Sequence, residues 1–135
     1  MIAVSFDGCG APLFAITLIG LAKAISNLVK SKEALYQQIV SACMKYPELV
    51  AGDGRLTTRM MRGVPGLFMK EGAEGVQVCA LRDGRVIAIK IIDGSWRPVA
   101  PIIMEIFKRW GVEMPDESVK IYGGASVIGG VIANI

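Results

Sequence analysis

Histidine is absent from this chain of 135 residues, and that zero excludes every Ser-His or Cys-His nucleophile pair and every imidazole-ligated metal within it. Cysteine is scarce: Cys9, Cys43 and Cys79 are three in number, far apart, with no C-x-x-C spacing. A disulfide framework and a zinc ribbon are both excluded on that pattern, and a reducing compartment is the default. Runs of like charge are missing too. The 15 basic and 12 acidic residues are interspersed, leaving a formal net charge of +3 and no basic stripe of the kind nucleic acid requires. Long apolar runs are also lacking. The longest uncharged stretches, Gly8–Ala22 and Ile121–Ile135, fall short of the roughly 20 residues a membrane helix needs. Met1 to Asp7 lacks the basic region that opens a secretory signal. The expectation is a soluble cytoplasmic protein that binds neither nucleic acid nor membrane.

What is present is apolar. Hydrophobic residues make up 53% of the chain and charged residues 20%, with a mean hydropathy of +0.49. Disorder is thereby excluded, and the balance is greasy for a small domain. A chain of this length buries about two-thirds of its unfolded surface and needs no covalent staple. Residues 1–135 read as a single domain or a fragment of one, with residues 1–63 mainly helical and residues 64–135 built of strands and one helix.

In the first part, Leu13, Ile16, Leu18, Leu21, Ala22, Ile25 and Leu28 recur at helical spacing, which predicts a helix from Leu13 to Val29 opened by Pro12. Ser31 is placed to cap a second helix, Lys32 to Lys45, which Pro47 stops. Gly52-Asp53-Gly54 is a turn, and Arg55 to Arg62 a short helix ending at Gly63. After Pro65-Gly66 the period changes to that of strands: Leu67–Lys70, Gly75–Leu81 and Arg85–Ile91, the last two joined by the hairpin signal Asp83-Gly84. Pro98 to Trp110 is an amphipathic helix closed by Gly111. From Val119 on, a strand, a Gly123-Gly124 turn and a last strand are expected. The class is α+β, an antiparallel sheet covered by helices.

Three groups have the residue types that carry chemistry. In Asp7-Gly8-Cys9-Gly10-Ala11-Pro12 the thiol falls on a tight turn ahead of a helix, a position that favours thiolate and anions. The plain alternative is a cysteine that packs inward. In Met69-Lys70-Glu71-Gly72-Ala73-Glu74-Gly75, an ammonium at the end of an apolar strand stands beside glycine backbone at Gly72 and Gly75 that a ligand can approach. Here the alternative is an edge lysine that discourages aggregation. Glu48 to Arg55 is a glycine-rich link between helices that either lines a site or is only a loop.

Taken in order, Asp7-Gly8-Cys9-Gly10-Ala11-Pro12, Tyr46-Pro47-Glu48-Leu49-Val50-Ala51-Gly52, Pro65-Gly66 with Lys70-x-Gly72-Ala73-Glu74-Gly75-Val76, and Lys90-Ile91-x-Asp93-Gly94 resemble the bacterial L-asparaginase II family, from about Asp7 to Val131. The resemblance is to the C-terminal portion of that family. It implies a fold similar to serine β-lactamases, transpeptidases and glutaminases, and hydrolysis of asparagine to aspartate and ammonia. It implies a serine nucleophile in S-x-x-K within a preceding portion; this chain has no S-x-x-K. By the same resemblance Lys70, in a strand motif similar to K-T-G, is the catalytic lysine, and Cys9, Gly72 and Gly75 line the substrate. Some family members hold zinc through the cysteine that Cys9 matches, so zinc is expected only with ligands supplied by another chain. Tyr46 stands where a histidine is usual and Thr57 where an aspartate often precedes threonine, and the second departure bears on a substrate-side contact. The alternative function is a non-catalytic amino-acid-binding or regulatory module, or an inactive truncated homologue. In either case the apolar surface predicts association, as a homo-oligomer or with a separate N-terminal half.

Overall fold

The computed structural model describes residues 4–135. The chain begins with a hairpin of β1 (Val4–Phe6) and β2 (Pro12–Phe14), followed by four helices, α1 (Leu18–Lys30), α2 (Ala34–Lys45), α3 (Pro47–Ala51) and α4 (Leu56–Gly63). A meander of β3 (Leu67–Gly72), β4 (Val76–Leu81) and β5 (Val86–Lys90) comes next, then α5 (Val99–Arg109) and a second hairpin of β6 (Val119–Gly123) and β7 (Ser126–Val131). All pairings are antiparallel. The α+β class holds, but among the described residues the strands form three separate sheets, not one.

The three-stranded sheet is the centre. Its register places Leu67 against Leu81, Met69 against Cys79 and Cys79 against Ile87, so alternate residues of all three strands share a face. That face carries Leu67, Met69, Cys79, Leu81, Ile87 and Ile89 and packs on Met60 and Met61 of α4 and on Val99, Ile103 and Phe107 of α5. The opposite face presents Phe68 and Ala80 to Val29 of α1 and Val40 of α2. Helices therefore cover both sides. The core helix α5 follows from its sequence. Val99, Ile103 and Phe107 recur every four residues and are fully buried, each contributing about 1.5–3 kcal/mol by leaving water. Gly111, at φ 66°, lets the chain turn back, so that the Val112 N–H reaches the Phe107 carbonyl and the Gly111 N–H that of Lys108.

Three boundaries differ from the sequence reading for physical reasons. Leu13 and Phe14 do not begin a helix; they pair with β1, and α1 starts only where the Thr17 hydroxyl accepts the Gly20 N–H at 3.0 Å. The face expected to be buried from Leu13 onward is half-buried at Leu21, Ala22, Ile25 and Leu28 and fully buried at Val29, while Ile16, Leu18 and Ile19 are exposed. Pro47 does not merely end α2; it opens α3 at the first helical position, where a missing N–H costs nothing. Ser31 lies outside α2, with its hydroxyl accepting the Glu33 N–H at 3.2 Å. The link from α3 to α4 is fixed by Thr58, fully buried, which donates to the Gly52 carbonyl at 2.6 Å.

Candidate functional site

The blocks singled out by sequence fall at two places. The first is the end of the β3–β4 hairpin. Gly72 closes β3, Ala73, Glu74 and Gly75 make the turn, and Val76 opens β4. Glu74 and Gly75 take positive φ, 59° and 66°. This turn is strapped to the end of β5: the Ile91 N–H donates to the Gly75 carbonyl at 3.0 Å, and Lys90 Nζ donates to the Glu74 carbonyl and, at 2.8 Å, to that of Ile91. Gly75 is buried, and a Cβ on it would stand 2.9 Å from the Ile91 Cβ and 3.1 Å from the Gly94 backbone. Its glycine is thus demanded by the packing of the turn as well as by φ.

Lys70 is exposed on β3, opposite Val78, with Nζ donating to the carbonyl of Glu71. Lys90 lies opposite Val76 on the far side of β4. By the alternation of the pleat, Lys70 and Lys90 share the sheet face on which Phe68 and Ala80 meet α1 and α2. Two ammonium groups therefore sit at one end of this face beside the exposed glycine of the strand end, Gly72. The sequence motifs assign a role only to the first. The signal for the second was its place one residue before Ile91 in a block already singled out, but its partner, the turn 16 residues upstream, emerges only in the fold.

Glu71 points to the other face. Its carboxylate accepts from Arg55 at 2.9 Å and from the hydroxyl of fully buried Thr57 at 3.1 Å. Thr57 is therefore a positioning residue for Glu71. The next residue pair in that layer is Glu71 with Gln77, whose Nε2 donates to the Val78 carbonyl at 3.0 Å while its buried Oε1 has no partner among the described residues.

The second place is the tip of the first hairpin. The Asp7 carboxylate accepts the Cys9 N–H at 2.8 Å and the Ala11 N–H at 2.9 Å, and Gly10 takes φ 80°. This corrects the expectation of a strand-to-helix turn: Cys9 is at the tip of a β-hairpin, ahead of β2 and well before α1, so no helix N-terminus acts on its thiol. Every residue from Ser5 to Ile19 is exposed, so the tip is not packed against the strand that carries Lys70. Cys43 is half-buried and Cys79 buried, and burial pushes the Cys79 thiol well above its ordinary range. Among the described residues no cluster of three or more cysteines and carboxylates could hold a metal ion. No helix among them is long and apolar enough to cross a membrane.

A family model described as L-asparaginase II matches residues 1–127. No curated protein matches the chain.

Proposed function

The chain belongs to the L-asparaginase II family, and from that premise we propose that it serves an asparaginase-type amidohydrolase as a C-terminal portion or subunit, hydrolysing asparagine to aspartate and ammonia together with a partner that supplies the nucleophile. The family match is the observation that carries this reading. The chemistry is acyl transfer: a hydroxyl attacks the side-chain amide carbon, ammonia leaves with the proton it receives, and water releases aspartate from the ester. Such a reaction requires an activated hydroxyl and donors for the developing oxyanion. This chain has no S-x-x-K to provide the first. Its proposed contribution is Lys70, which would orient the substrate or move a proton, with Gly72 and Gly75 bordering the substrate and Cys9 brought in from the hairpin tip. Zinc would be held at Cys9 only if other ligands came from another chain. The strapped turn at Gly75 and the neighbouring ammonium of Lys90 support this assignment, because they fix the strand end beside Lys70 and favour an acidic ligand there.

A second reading is a non-catalytic amino-acid-binding module, favoured by the same lack of S-x-x-K. Ammonia release from asparagine, measured on the chain alone and mixed with a family polypeptide that carries S-x-x-K, separates the two. The proposal expects no turnover alone, turnover in the mixture, and loss of most of it with Lys70→Ala. Asparagine binding without ammonia in the mixture, lost with Lys70→Ala, supports the binding module. Turnover by the chain alone that survives both Lys70→Ala and Cys9→Ala overturns the site.

A further inference from the structure

On the sheet face opposite Lys70, a cleft of about 370 Å3 opens between the start of α4 and the loop that leads into α5, lined by Gly54, Arg55, Leu56, Arg59, Glu71 and Trp96. We propose that this cleft is a separate binding site for a free α-amino acid, with the ligand carboxylate on Arg55, its ammonium on Glu71 and its side chain against Trp96.

The polar groups are held before any ligand arrives. Thr57 is anchored in the core and fixes one oxygen of Glu71, and the other oxygen fixes one terminal nitrogen of Arg55. A guanidinium has five N–H donors, and this contact occupies one of them; each Glu71 oxygen likewise keeps a free lone pair. Arg55 is thus aimed but not saturated, which reduces the ordering a ligand must impose. Arg59 differs. Its Nε and Nη2 grip Glu117 at 2.7 and 2.5 Å and its Nη1 donates to the Gly54 carbonyl, so it serves as a wall and not as a reader.

Charge decides the ligand class. Arg55, Arg59, Glu71 and Glu117 cancel, so a simple anion or cation entering the cleft would leave an unbalanced charge. A zwitterion brings none, and its two ends are separated on the scale of one guanidinium–carboxylate pair. Trp96, 38% exposed, and half-buried Leu56 give the remaining wall an apolar surface for a side chain. Gly54 leaves the rim open, as a Cβ there would meet nothing within 4 Å. The inference is independent of the role given to Lys70, which lies across the sheet.

The test follows the indole N–H resonance of Trp96, identified by its disappearance in Trp96→Phe, while asparagine is added. The expected result is a saturable shift of Trp96 with Trp110 unmoved. N-acetylasparagine and asparagine amide, each lacking one charge, should produce little. Arg55→Ala should weaken binding by roughly tenfold or more, the usual effect of losing a charge-assisted hydrogen bond. Lys70→Ala should leave the shift unchanged, so that failure of the proposed active site is distinguishable from failure of this one. Should Arg55→Ala disturb α4, the exposed Trp96→Ala, read by calorimetry, must weaken asparagine binding to a similar extent. Absence of a saturable shift, equal binding of both blocked analogues, or full retention of binding in Arg55→Ala or in Trp96→Ala overturns the proposal.

Discussion

Single side chains at the turns of this protein are held by carboxylates that serve the backbone. Asp83 is the clearest case: its Oδ1 accepts the Arg85 N–H at 2.9 Å and its Oδ2 the Arg85 guanidinium at 2.8 Å. These bonds, the side-chain one first, hold the Asp83 carboxyl below the usual carboxylate range. The sign follows directly. A group with a depressed folded pKa contributes stability that is complete above its unfolded value, about 3.9, and is lost as pH falls through the lower folded value. Both side chains are about half exposed, so solvent keeps the contribution small. Thermal midpoints of the wild type and Asp83→Asn should differ slightly at neutral pH and converge in acid; a gap that widens as pH falls would refute the assignment. The Asp83-Gly84 turn was legible in the sequence because its signal is local. The link from Arg55 through Glu71 to Thr57 was not, since its members are 14 to 16 residues apart and each alone resembles a surface charge or a core threonine.

At the scale of elements, the meander and the helices α4 and α5 were readable because period and punctuation agree over their whole length. The first hairpin was not, since Leu13, Ile16 and Leu18 fit a helical stripe as well as they fit a strand and its exit. Only pairing with Val4–Phe6 decides between them. Two of the glycine turns between strands can be ranked. Gly75 and Gly124 have nearly the same positive φ, 66° and 61°, yet a Cβ on Gly124 meets open space and one on Gly75 meets the Gly94 backbone and Ile91. Gly124→Ala should therefore cost about 1 kcal/mol, the conformational term alone. Gly75→Ala should cost roughly 1–3 kcal/mol more for overpacking. Urea denaturation of both variants checks this, and equal losses would show that the β5 strap yields.

For the molecule as a whole, the distribution of apolar surface is the dominant fact. Phe6, Phe14 and Ile19 near one end of the chain and Tyr122, Ile128 and Ile132 near the other are each at least 60% exposed. A two-stranded hairpin is only marginally stable by itself in water, and both hairpins here show exposed residues on both faces. Uncharged strands such as β7 also leave an open edge without the lysine or proline that usually guards one. The proposed association, as a homo-oligomer or with an N-terminal half, would cover these surfaces. Light scattering after size exclusion should give a mass above 14.4 kDa at micromolar concentration, with Ile128→Lys shifting it downward. A clean monomer for the wild type, unaltered by adding the S-x-x-K polypeptide, would remove this proposal.

The central sheet draws all its strand pairing from residues 67–90, each strand bonded to the one synthesised just before or after it. Such nearest-neighbour wiring asks for little loop closure, so the sheet can assemble on the ribosome while α5 is still in the exit tunnel. During that interval Leu67, Met69, Ile87 and Ile89 await Ile103 and Phe107. A pause in translation once β5 has emerged, with α5 still in the tunnel, would thus lengthen the time for which chaperones have a greasy, half-roofed nascent chain to hold.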